Sequence, residues 1–158
     1  NLILPNAEIV QQHQFAKFTK LQYVYAPVLT TIEYSGFNQC STLQRIDFPK
    51  IQNIGRNAFF CCFCLENIQG LMLKQLDDCA FQHCRNLKSL KSDEITEVVE
   101  TSFGSCFNLR QLIVPNLFSI NKNSKELQNV QIYCPLIPKI HNAEIFQCKS
   151  LSKPKIQW

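Results

Sequence analysis

The chain has 158 residues, enough for one domain with a substantial core. Its hydrophobic content of 46% is ordinary for a folded soluble protein, and no apolar run approaches the roughly 20 residues that span a bilayer. The net charge of +4 is mild and the lysines are scattered, which excludes a basic stripe for nucleic acid or a membrane-surface helix.

In chain order, the sequence repeats itself. Leu21, Leu43, Leu65, Leu87 and Leu109 stand 22 residues apart, and each opens a similar unit. Self-similarity at such a period is the signature of a solenoid, in which each unit forms one coil. Count position 1 at each opening leucine. Position 4 is then Val24, Ile46, Ile68, Leu90 and Leu112, and position 9 is Leu29, Ile51, Leu73, Ile95 and Leu117. Position 12 is Ile32, Ile54, Leu76, Val98 and Ile120. Position 17 is Phe37, Phe59, Phe81 and Phe103, and position 20 is Cys40, Cys62, Cys84 and Cys106.

Residues 1–20 fit as a partial first unit, with Leu2 at position 4, Val10 at 12 and Phe15 at 17. The unit from Leu109 loses its Phe and Cys columns across residues 121–128. Shortening it by two residues places the next start at Asn129, with Ile132 and Cys148 back in their columns. Leu151 opens a last partial unit, and the whole of 1–158 is expected to be one domain. The chain opens at Asn1 rather than Met, as expected of a fragment, so a missing signal peptide carries no weight.

One coil cannot bury its own apolar side, whereas stacked coils turn every apolar column into a continuous ladder. The Leu-x-x-Leu/Ile start predicts a short strand stacking in parallel on its neighbours. Proline at position 7 (Pro27, Pro49, Pro115) ends it, having no amide hydrogen for the ladder. Positions 9 to 12 predict a second short extended piece. Small residues at position 16 (Gly36, Ala58, Ala80, Ser102) suit a tight turn before the Phe column, and little regular helix is expected.

Leu43 to Cys62 reads Leu-x-x-Ile-x-Phe-Pro, then Ile-Gly-x-x-Ala-Phe-x-x-Cys. Cys79 to Cys84 and Thr101 to Cys106 repeat its second half. This pattern resembles the BspA-like leucine-rich repeats of bacterial surfaces and parasitic protists. The resemblance covers nearly the whole chain. It implies a mainly β repeat solenoid of short strands and turns, acting as an interaction scaffold.

Nine cysteines are many. One per coil beside a Phe column is the behaviour of a small buried hydrophobe, and Cys134 at position 6 is also expected inward. Cys61, Cys62 and Cys64 lack the paired spacing and added histidines of a zinc site, so neither a metal nor another cofactor is expected. Cys61 and Cys64 read as surface thiols. Unpaired thiols in this number favour a reducing, intracellular compartment over the cell surface. His13, His83 and His141 fall at unrelated repeat positions. Asp77-Asp78 and Asp93-Glu94 read as solvated turn acids, and only four glycines are available for a phosphate loop. No catalytic set emerges.

Two surfaces remain for a partner. Strand side chains alternate faces, so positions 2, 3 and 5 point outward on the expected concave side. That row runs from Gln22, Tyr23 and Tyr25, through Arg45 and Asp47, then Lys88, Ser89 and Lys91, to Gln131 and Tyr133. Tyr and Arg are enriched in binding hot spots. The second surface is the tail. Lys155-Ile156-Gln157-Trp158 resembles the docking motif of protein phosphatase 1 regulators, basic–Val/Ile–any–Phe/Trp. The resemblance implies that Lys155, Ile156 and Trp158 add a strand to the phosphatase catalytic subunit. Arg45-Ile46-Asp47-Phe48 matches the same pattern, but Ile46 and Phe48 fall in ladder columns and are expected to be buried. Capping of the last coil is the competing role for Ile156 and Trp158. Uncapped terminal coils with open strand edges also predict a homo-oligomer.

Overall fold

The fold is that of a computed structural model, which describes residues 1–117, 119–120, 127 and 130–134. The 22-residue units close into stacked coils of a parallel β solenoid. Each coil contributes two short strands. The front ladder takes positions 3 to 5: β1 (Leu2–Ile3), β3 (Tyr23–Tyr25), β5 (Arg45–Asp47), β7 (Asn67–Gln69), β9 (Ser89–Lys91), β11 (Gln111–Ile113) and β13 (Gln131–Tyr133). The back ladder takes positions 11 and 12: β2 (Ile9–Val10), β4 (Thr31–Ile32), β6 (Asn53–Ile54), β8 (Gln75–Leu76), β10 (Glu97–Val98) and β12 (Ser119–Ile120). Every pairing is parallel, joining Val24 to Ile46 or Ile54 to Leu76. From β11 to β13 the step is 20 residues, Leu112 pairing with Ile132.

A third set of inter-coil bonds runs through the Phe turn. The amides of Phe15, Phe37, Phe59 and Phe81 donate to the carbonyls of Gly36, Ala58, Ala80 and Ser102, one coil on. Flanking amides do the same because two backbone columns are left-handed. His13, Ser35, Asn57 and Cys79 form one column, and Lys17, Gln39, Cys61, His83 and Ser105 the other, all with φ between 57° and 64°. None is glycine, so each bears the steric cost of that conformation, about 1–2 kcal/mol. The compensation for position 19 is visible: Gln39, Cys61 and His83 turn their N–H groups onto Phe60, Gln82 and Gly104. A 3-10 turn spans Glu100–Phe103.

The columns meet inside. Phe15, Phe37, Phe59, Phe81 and Phe103 stack with ring centres 5.3–5.8 Å apart and planes within 19° of parallel. Behind them, the column cysteines do more than fill space. The thiols of Cys40, Cys62, Cys84 and Cys106 donate to the carbonyls of Phe15, Phe37, Phe59 and Phe81, at 3.0–3.2 Å. A small side chain with a weak donor at its tip meets that requirement. Ile46 and Phe48 are buried, as their columns require. At Gly36 a Cβ would come within 2.9 Å of the Ile32 and Val10 side chains, so a larger residue there would have to displace them.

Both ladders are interrupted once among the described strands. β5 and β7 are not paired, nor are β8 and β10. At position 6, Leu4, Ala26, Gly70, Ser92 and Val114 each donate an amide to position 5 of the next coil. Among the described residues the equivalent bond from Phe48 to Gln69 is absent. The interruption coincides with the bulkiest side chain of that column, between Ala26 and Gly70. On the back, the break accompanies the 3-10 turn, which replaces the left-handed bend that other coils have at position 15. The coil Leu65–Asn86 is therefore bonded forward through its front strand and backward through its rear strand.

Candidate functional site

The outward residues of the front ladder form a continuous row because each strand presents positions 3 and 5 to the same side. Tyr23, Arg45 and Asp47 are brought together. The Tyr23 hydroxyl donates to Asp47 Oδ2 at 2.7 Å, and Arg45 grips the same carboxylate through Nε at 2.9 Å and its terminal nitrogen at 3.0 Å. The guanidinium also lies over the Tyr23 ring, 5.9 Å from its centre. Partial burial works against the Asp47 carboxylate, but the hydrogen bonds from Arg45 and Tyr23 outweigh it and hold its pKa below the usual value. The bond to Asp47 raises the Tyr23 hydroxyl. An exposed ion pair of this kind adds little stability, at most about 1 kcal/mol, so its main effect is to fix three side chains in one orientation.

Tyr25 stands beside this cluster and is 42% exposed. Its ring borders an open groove of about 720 Å³ that lies where β5 and β7 part, with Pro27, Pro49, Asp47, Asn67 and Gln69 along it. Further along the row, Lys88 pairs with Glu66 at 2.8 Å and Ser89 donates to Asn67 at 2.9 Å. Tyr133 is half-buried on β13, four strands beyond β5, and does not join the Tyr23 cluster. Lys155, Ile156 and Trp158 lie outside the described residues, as do Cys148 and His141.

The sequence reading missed one part of this surface. At position 21, just before the front strands, Phe63 and Phe107 are 36% and 66% exposed, and Arg85 lies over the Phe63 ring at 5.1 Å. The column reads Thr19, Ser41, Phe63, Arg85, Phe107, so no shared residue type marks it. A second opening, about 460 Å³, follows the gap between β8 and β10 and carries Arg56, Lys74, Asp77, Asp78 and Glu97. Its acids are partly engaged: Gln75 donates to Asp77 and Thr101 to Asp78.

Among the described residues, chemically reactive groups do not converge. Cys40, Cys62, Cys84, Cys106 and Cys134 are buried, whereas Cys61, Cys64 and Cys79 are half-buried and unpaired. Burial pushes the Cys61 thiol up, against the charge of Arg85. Among the described residues no three His, Cys, Asp or Glu side chains come together as a metal site. His13 and His83 sit in the left-handed columns, each edge-on to a ring, Tyr34 and Phe60 respectively. No described helix is long and apolar enough to cross a membrane. The arrangement can present side chains to a partner.

The BspA type leucine-rich repeat region matches this chain in six copies, over residues 8–126 and 71–157. Two solved structures are similar. One is a leucine-rich cell surface protein from Faecalibacterium prausnitzii A2-165, 22% identical, with a TM-score of 0.65, matched over 81% of this chain and 34% of that one. The other is a leucine-rich repeat protein from Bacteroides ovatus ATCC 8483, 18% identical, with a TM-score of 0.55, matched over 83% of this chain and 45% of that one. This chain thus spans less than half the length of either. No functionally curated protein matches it.

Proposed function

The chain belongs to the BspA-type leucine-rich repeat family, and from that premise we propose that it is a non-enzymatic scaffold that binds a protein partner across its front row. The observation that supports this most is the Tyr23–Asp47–Arg45 cluster beside exposed Tyr25 and the groove at the ladder gap. Side chains already held in one orientation lose less entropy on binding, and Tyr and Arg are the usual anchors.

Two settings are open to such a scaffold. In an intracellular one, Lys155, Ile156 and Trp158 dock the catalytic subunit of protein phosphatase 1. The support is the basic–Ile–x–Trp pattern of the tail. In a cell-surface one, the front row engages matrix or cell-surface protein. The support is that the Faecalibacterium neighbour is a cell surface protein.

Photo-crosslinking from positions 25 and 69 on the front, and from 75 on the back, tests both readings in extracts of the source organism. The same polypeptide is expected from both front positions, competed by unlabelled protein, and not from 75. Equal capture from all three would remove the front row. Carrying Ile156→Ala and Trp158→Ala through the same experiment isolates the tail. Phosphatase captured by the parent and lost by this variant supports docking, and equal capture rejects it.

A further inference from the structure

Charge is unevenly divided along the chain and around it. Residues 1–84 hold six Lys and Arg against six Asp and Glu, whereas residues 85–158 hold ten against six. The excess of four lies in residues 118–158, whereas residues 85–117 are balanced at four of each sign, so what marks their front is where the charges sit rather than how many there are. Within the coil from Leu87 the signs are sorted by side. Lys88 and Lys91 stand on or beside β9 at the front, while Asp93 and Glu94 lie in the following turn and Glu97 on β10 at the back. Arg85 precedes this coil on the rim, and Arg110 follows beside β11.

Of these four front cations only Lys88 has an acidic partner, Glu66. Among the described residues, Arg85, Lys91 and Arg110 form no ion pair. Arg85 is laid over Phe63, and Arg110 is held by the neutral carbonyls of Phe107 and Leu109 at 3.0 and 3.2 Å. Both guanidiniums are thus positioned without being neutralised. On the front strand β5, by contrast, Arg45 is closed by Asp47.

We propose that the front of the coils from Leu87 and Leu109, with the Phe63–Arg85–Phe107 rim, docks an acidic polypeptide segment that carries an apolar or aromatic anchor. This rests on the scaffold reading above and names the chemistry of its partner. Carboxylates on the segment meet Arg85, Lys91 and Arg110, and Arg can bind each in a bidentate fork. The anchor packs on Phe107, whose ring is two-thirds exposed. Between the cations, Ser89, Asn67 and Gln111 can bond a peptide backbone. A nucleic acid is the poorer fit, since its affinity grows with each phosphate neutralised and, among the described residues, this face offers three cations outside an ion pair.

The test uses a labelled twelve-residue peptide of Asp and Glu with a central Phe-Leu pair, followed by fluorescence anisotropy in low and moderate salt. The parent chain is expected to bind it, and more weakly as salt rises. Arg85→Glu with Arg110→Glu is expected to weaken binding about tenfold or more, and Phe107→Ala severalfold, while Arg56→Glu on the back leaves it unchanged. Melting curves confirm that each variant folds, and Arg85→Glu alone serves if the pair does not. Binding unchanged in Arg85→Glu, or lost equally in Arg56→Glu, overturns the proposal. So does tighter binding of a single-stranded twelve-nucleotide DNA than of the peptide. If the peptide fails while front-position crosslinking succeeds, this inference falls and the scaffold reading stands.

Discussion

Replacing Phe59 by Ala is expected to lower the unfolding free energy by about 3–5 kcal/mol, the range for removing a fully buried aromatic ring. Phe59 has no solvent exposure. Its ring is stacked on both sides, 5.6 Å from Phe37 and 5.3 Å from Phe81, and Phe48 closes a third side at 6.4 Å. The amide beneath it is tied to Ala80 and its carbonyl accepts the Cys84 thiol, so the backbone cannot collapse into the space. In a stack where each coil touches only its neighbours, damage in the middle weakens two interfaces at once. Phe15 is only partly buried and has one stacked neighbour, so Phe15→Ala should cost markedly less. Urea unfolding of the two variants checks this. A loss below about 1.5 kcal/mol for Phe59→Ala, or equal losses at both sites, would mean that the Phe column is not a continuous stack.

Stability is expected to fall steeply in alkali, for a reason that follows from the buried thiols. Burial pushes Cys40 up from 9.0 to about 11. Burial likewise drives Cys62 and Cys84 well above 9.0, and neighbouring thiols add to it. These groups must stay protonated in the folded chain, while the unfolded chain releases their protons at the ordinary thiol pKa. The stabilisation is therefore complete below about pH 9 and drains as pH rises through the folded values. For Cys40 the two-unit difference corresponds to about 2.7 kcal/mol, at 1.36 kcal/mol per unit. Three thiols titrating together would give a limiting slope of roughly 4 kcal/mol per pH unit. Urea midpoints are expected to be level from pH 6 to 8 and to drop from pH 9 to 10.5. Cys84→Ala should remove about a third of that slope. A midpoint as high at pH 10.5 as at pH 7 would show that the thiols are not in the core.

The columns were legible because each gathers one residue type at a fixed interval, and parallel stacking preserves that register: Val24 pairs with Ile46 and Ile68 with Leu90. The burial of the cysteines was legible for the same reason, but the hydrogen bonds from their thiols to the Phe carbonyls were not. A periodic pattern shows which side chains face inward and says nothing of which backbone atom they meet. The left-handed columns escaped notice because they hold His, Ser, Asn, Cys, Lys and Gln rather than glycine. The break between β5 and β7 coincides with Phe48, a residue that obeys the hydrophobic pattern and departs only from the size of its column. Of the candidate site, the outward row could be read from strand alternation, yet the closure of Arg45 by Asp47 depends on side-chain reach within one strand. Phe63 and Phe107 lie in a turn column of mixed chemistry, where periodicity carries no signal.

The central claim is that the column cysteines are packing and that function lies on the outward side chains. Alkylation of the native protein, mapped peptide by peptide, tests it most directly. Cys61, Cys64 and Cys79 are expected to react in the folded chain, while Cys40, Cys62, Cys84, Cys106 and Cys134 stay protected until denaturant is added. Labelling of Cys62 or Cys84 as fast as Cys64 in the native state would contradict the stacked core and the surface assignment built upon it.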